Sequence, residues 1–266
     1  MIRLYVVLIT VVLVFGIGCS SSDDLKNMNA QERFDHGKAL FDEGEYTDAK
    51  KDFEQIKLQF PGNSVADDAM YYLAECYYHR EEFLLASEEY KSIKRNLQGS
   101  PFLPLAQFKI AMCFYNLAPQ SHLDQEYSVR AIDAFQTFIE YYPTHELVAD
   151  ATQKIRELNG RLAEKDYNTG ELYMRLSYYK SAIYYFTSVV EKFHDTKFAE
   201  PAHLKLARAL YQRKLYKEAN KEIESFLQKY PKSEEKDEAL SLKNDIQEKL
   251  QMQPVKEIKP KSSPSN

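Results

Sequence analysis

The sequence predicts an all-α fold, a right-handed superhelical solenoid of about five helical hairpins spanning residues 31–250. Three observations carry that expectation. Turn formers are scarce, with 8 Gly and 10 Pro in 266 residues, while 20 Tyr and 15 Phe supply bulky packing, a balance that favours helices. One apolar stripe recurs five times at helical spacing. Upstream of each copy stands a small residue at which two antiparallel helices approach closely.

Residues 1–18 read as a signal peptide: Arg3 gives the positive start, Leu4 to Phe15 the apolar segment, and Gly16 to Gly18 the small-residue exit. The apolar part is short of the roughly 20 residues that a bilayer-spanning helix needs. Cys19 then becomes the first residue of the mature chain. The junction resembles a bacterial lipobox, with Gly18 before the cut and Gly16 where leucine is usual. That resemblance implies lipidation of Cys19, and two or more acyl chains anchor stably where one does not. Residues 19–30 are accordingly anchor and linker. Ser20 after the cysteine implies transfer to the outer membrane, facing the periplasm, although the run CSSSDD also resembles surface-export signals of some lipoproteins.

The clearest copies of the stripe are GEYTDAKKDFEQIKLQFP (44–61) and KLYKEANKEIESFLQKYP (214–231). Each has an aromatic (Tyr46, Tyr216), then an alanine (Ala49, Ala219), two further apolar residues (Phe53 and Ile56, Ile223 and Phe226), and a proline that stops the helix. The frame also fits around Ala86, Ala131 and Ala182, so the alanines are spaced 37, 45, 51 and 37 apart. The small residues upstream are Gly37, Ala74, Ala111, Gly170 and Ala207. A hairpin of this kind cannot bury its apolar face alone, so neighbours must stack. The pattern resembles the tetratricopeptide repeat, with His194 where the fourth copy has no proline and no Trp anywhere. Residues 251–266, rich in Pro, Ser and Lys, are expected to be a disordered tail.

Two long spacings mark a narrower family. APQSHLDQEYSVRAIDAFQTFIEYYP lengthens the turn of the third hairpin at 118–127, and LAEKDYNTGELYMRLSYYKSAIYYFTSVVEKFHDT covers 162–196. Both stretches resemble the BamD family of lipoprotein subunits of the outer-membrane β-barrel assembly machine, over roughly residues 30–245. The resemblance implies a non-catalytic chain of five tetratricopeptide-like units. By the same resemblance the N-terminal half takes the C-terminal sorting signal of unfolded barrel proteins, and the C-terminal half docks the periplasmic domains of the barrel subunit.

In such solenoids the first helix of each hairpin lines the concave face. Counting three before and four after each of the first three small residues gives Phe34 and Phe41, Tyr71 and Tyr78, Phe108 and Tyr115 as a peptide-binding groove. An aromatic trough suits an extended peptide ending in Phe or Tyr. Packing of these rings against the neighbouring hairpin is the competing expectation, because aromatic stripes at helical spacing are usually core.

Other chemistry finds little support. A net charge of −5 disfavours nucleic acid as a partner. Cys76 and Cys113 are expected to be buried free thiols, too far apart to bridge. Six scattered histidines offer no metal spacing, and no phosphate loop or nucleophile elbow is present, so no cofactor, metal or catalytic residue is assigned. A secretion or pilus-biogenesis pilotin, or a cell-wall coordination adaptor, remains the alternative function on the same fold.

Overall fold

The computed structural model describes residues 27–97 and 99–252, so the signal peptide, Cys19 and the tail lie outside the described residues. Within them the chain is all helical, with no strand among the described residues. Eleven helices follow in order: α1 (Ala30–Asp42), α2 (Tyr46–Gln59), α3 (Ala66–His79), α4 (Phe83–Asn96), α5 (Leu103–Leu117), α6 (Glu126–Tyr141), α7 (Val148–Arg175), α8 (Tyr179–Lys192), α9 (Ala199–Gln212), α10 (Tyr216–Lys229) and α11 (Lys236–Gln251). They form two units. The first holds the described residues up to Leu117 together with Asp133–Val148, and the second Ala118–Ile132 together with the described residues from Ala149.

Local chemistry sets the helix ends. Asn29 and Glu32 form a capping box that starts α1. The turns inside four hairpins share one backbone solution, with Gly44, Glu81, Ser177 and Lys214 all in the left-handed region. The following amide reaches back five residues, as in Glu45 N–H to Leu40 C=O at 2.8 Å and Tyr178 N–H to Tyr173 C=O at 2.9 Å. These are Schellman closures, which satisfy the last carbonyls of the first helix and turn the chain into the second. The second helices then stop on an aromatic residue or leucine. Phe193 N–H bonds Val189 C=O just as Phe60 N–H bonds Ile56 C=O, so the stop at His194 needs no proline.

Within each hairpin the stripe is the core. Ala49, Ala86, Ala131, Ala182 and Ala219 are all fully buried, as are Phe53, Tyr90, Phe135, Phe186 and Phe226. Burying each such phenylalanine contributes up to about 3 kcal/mol. The close approach is steric at Gly170, where a Cβ would stand 2.7 Å from a Phe186 ring carbon, and at Gly37, where it would stand 3.0 Å from Asp52 Cβ.

Four residues before the small residue, where the repeat pattern carries tryptophan, the chain has cross-hairpin polar bridges instead. Arg33 pairs with Asp52 at 3.0 Å, Gln107 donates to Ala134 C=O at 3.3 Å, Asp166 accepts from Ser188 at 2.7 Å, and His203 lies 3.1 Å from Glu222. Met70 fills the second hairpin's position with an apolar side chain. The last described helix, α11, buries Ala239, Leu242 and Ile246, and its exposed side is mostly polar apart from Leu240.

Candidate peptide-binding and docking surfaces

The six groove residues sit where successive helices meet. Phe34 and Phe41 are half-buried against Tyr72, at 5.9 and 5.2 Å between ring centroids, and each also meets a ring of α2: Phe53 for Phe34, Tyr46 for Phe41. Tyr71 stacks on Phe102 at 4.6 Å. Tyr78 carries the Lys109 ammonium 4.3 Å over its ring and receives a hydrogen bond from Asn116 Nδ2 at 2.9 Å. Tyr115 reaches Phe135 edge-on at 6.4 Å.

Phe108 departs from the expectation. It is only 6% exposed and packs edge-on to Phe135 and Phe138, so it belongs to the core and offers no face to a ligand. The physical reason is its neighbours: Phe135 and Phe138 of α6 both receive the Phe108 ring, whereas Phe34 at the same offset meets only Phe53 of α2 and stays half-buried. Ring contacts link Phe34, Phe41, Tyr71 and Tyr78 through Tyr72 and His79, while Phe108 and Tyr115 both meet Phe135.

Sequence reasoning missed the group that organises the surroundings of Tyr71 and Tyr78. Glu75 on α3 is buried, and its carboxylate accepts from Tyr90 Oη of α4 and from Lys109 Nζ of α5 at 2.9 Å. His79 Nε2 lies 3.6 Å away. Desolvation and the Glu75 charge push the Tyr71 and Tyr90 phenols well above their ordinary values, which keeps both as donors. Through Lys109 the same carboxylate also fixes Tyr78. The available signal was a single acid directly after Ala74 in an otherwise apolar stretch.

The second unit presents a different surface. Leu172 and Leu176 at the end of α7, Tyr178 in the turn and Tyr184 on α8 (67% exposed) all face solvent, over a parallel Tyr173–Tyr185 stack at 5.6 Å. One turn-lengthening segment is locked against α7. Lys165 Nζ donates to Leu123 C=O at 2.8 Å and Arg161 to Ala118 C=O at 3.0 Å. The buried Gln125 donates to Gln120 C=O and Leu123 C=O and accepts from Ser128. The LDQ and LAEK segments are thus in direct contact.

The thiols of Cys76 and Cys113 are buried and unbridged, and burial pushes both up to about 12. A cleft of about 630 Å³ runs along Glu200, Tyr230, Lys232 and Glu235. Among the described residues no group of three or more His, Cys, Asp or Glu side chains is placed to hold a metal, and no helix is long and apolar enough to cross a membrane.

Residues 26–202 match the YfiO family, described as outer membrane lipoprotein. The chain belongs to that family. Residues 202–233 match a tetratricopeptide repeat. The outer membrane protein assembly factor BamD of Rickettsia prowazekii (strain Madrid E) is 24% identical over 231 residues, covering 85% of this chain and 92% of that protein. Among solved structures, the TPR2AB-domain:pHSP90-complex of yeast Sti1 is similar at 13% identity with a TM-score of 0.42, covering 83% of this chain and 84% of that one. A tetratricopeptide repeat protein from Parabacteroides merdae is similar at 15% identity with a TM-score of 0.36, covering 84% and 73%.

Proposed function

We propose that this chain is a non-catalytic, lipid-anchored subunit of the outer membrane β-barrel assembly machinery, facing the periplasm. Its first unit grips the sorting signals of unfolded outer membrane proteins, and its second docks the periplasmic domains of the barrel subunit. The assembly-factor role named for the Rickettsia relative supports the machinery, and the lipoprotein family supports an anchor at Cys19.

The observation that carries the client-binding reading is the aromatic surface held by Glu75. Rings already fixed by Glu75 and Lys109 lose little freedom when an extended chain ending in Phe or Tyr packs on them, and each ring pair adds about 0.5–1.5 kcal/mol. Phe34, Phe41, Tyr71, Tyr78 and Tyr115 retain exposed area for that purpose. The exposed tyrosine and leucine surface of α7 and α8 supports the docking reading, because tyrosine is enriched at protein interfaces.

Tyr78→Ala tests client binding with least damage to the core, since Tyr71 is committed to Phe102. A labelled peptide ending in Phe should bind the variant at least about tenfold more weakly, a difference of 1.4 kcal/mol, with the helical content unchanged. An unchanged dissociation constant refutes the aromatic site. Cys19→Ala should release the mature chain from membranes, and continued membrane retention refutes the anchor.

A further inference from the structure

His79 closes α3, five residues after Ala74 and so one step beyond the offset that marks Tyr78. Its imidazole lies nearly parallel to the Tyr46 ring, at 4.8 Å between centroids and 11° between planes, and it stands edge-on to Phe41 at 5.5 Å and to Tyr78 at 6.0 Å. Stacked and edge-on pairs at these separations attract. Phe41 and Tyr46 belong to the first hairpin and Tyr78 to the second, so one ring touches aromatic groups of both.

Burial does not explain this arrangement. The His79 side chain is 41% exposed, whereas Tyr72, which also reaches Phe41, is half-buried and packed on the core around Phe53 and Leu73. An exposed ring keeps one orientation only where contacts on several sides hold it against rotamer entropy. His79 Nε2 lies 3.6 Å from the buried Glu75 carboxylate, and that same carboxylate takes Lys109, whose ammonium stands over Tyr78. Glu75 thus sets His79 on one side and, through Lys109, Tyr78 on the other. The other charges around these rings are matched, Lys38 with Asp42 and Arg80 with Glu82.

We infer that His79 is a positioning residue of the client site, the joint that makes the rings of the first hairpin and Tyr78 act as one surface. The inference rests on the client-binding reading above. A chain packed on Tyr78 presses on His79 and, through it, on Phe41 and Tyr46, so what one ring contributes depends on the others being in place. His79 acts through its ring faces, which a phenylalanine keeps and a leucine does not.

The test uses the full chain, purified in detergent, with a labelled peptide ending in Phe as the probe. His79→Leu should weaken binding about fivefold or more at an unchanged melting temperature, and His79→Phe should bind within about twofold of the parent. In the parent, the combined loss in Phe41→Leu with Tyr78→Ala should fall short of the product of the single losses by about threefold or more, and in the His79→Leu background the losses should multiply. Without peptide, NMR of labelled tyrosine rings should show the Tyr46 ring protons shifted upfield by the stacked imidazole, a shift kept in His79→Phe and lost in His79→Leu. A parent that binds while His79→Leu stays within about twofold overturns the inference and leaves the client reading standing, as does a coupling that survives in His79→Leu. A parent that does not bind refutes the client reading and this inference with it. Equal loss in His79→Leu and His79→Phe assigns the effect to the Glu75 contact and overturns the ring joint.

Discussion

Adding one methyl group to each of two glycines on α7 should move stability in opposite directions. At Gly170 the new Cβ would lie 2.7, 2.9 and 2.9 Å from three carbons of the Phe186 ring. That ring is fully buried and edge-on to Tyr167 at 5.9 Å, so relief requires moving a filled core. Overpacking of this kind costs about 1–3 kcal/mol, and the better helix propensity of alanine returns about 1 kcal/mol. With the contact well below 3 Å the upper part of the range applies, leaving a net loss of about 1–2 kcal/mol. In a chain of this size that lowers the melting temperature by about 2–8 °C. At Gly160 nothing lies within 4 Å of the same position, so only the propensity acts and Gly160→Ala should raise the melting temperature by about 2–4 °C. Circular dichroism melts at 222 nm measure both. A Gly170→Ala protein as stable as the parent refutes the steric account, and recovery in Gly170→Ala with Phe186→Leu is expected if it is right.

Three further outcomes follow from the geometry. Glu81→Gly, Ser177→Gly and Lys214→Gly each relieve a left-handed residue near φ 60° and should raise the urea midpoint by an amount worth about 0.5 kcal/mol, while Gly44→Ala at φ 85° should lower it by about 1 kcal/mol. The hydrogen bond from His203 holds the Glu222 carboxyl below its ordinary value, so its stabilisation is present above about pH 4.3 and is lost as pH falls through the lower folded value. Glu222→Gln should flatten that acid limb in stability measured between pH 6 and 3. With both thiols pushed up to about 12, alkylation of native Cys76 and Cys113 at pH 8 should be about a thousandfold slower than in urea, as followed by mass spectrometry.

The sequence reading succeeded where one residue type answers to one local demand. The five alanines mark where two helices touch, and each is fully buried. It failed where a side chain has two places to go. Phe108 lies at the same offset as Tyr71, and the offset alone does not reveal that Phe135 and Phe138 are placed to receive it. Gly170 looks like a lapse from alanine until the Phe186 ring is seen against it. Glu75 and Lys109 are 34 residues apart, and only the stacking of α3 on α5 through α4 makes them partners. The contact between Lys165 and Leu123 joins two segments that stood out separately, because a backbone carbonyl leaves no trace in side-chain pattern. The closing helix α11 lacks the recurring stripe and is legible only as a short run of Ala239, Leu242 and Ile246.

The polar bridges that stand in place of tryptophan make the hairpins unequal, however alike their apolar stripes. Moving α7 into the place of α1 would set the Asp166 carboxylate against the Asp52 carboxylate, an acceptor facing an acceptor, so that exchange strands a buried acid. A tryptophan at every one of these sites would let any first helix marry any second. Here each pair recognises its own mate, and the order of the repeats is written into the chain as a set of private handshakes that guards a growing polypeptide against stacking out of turn.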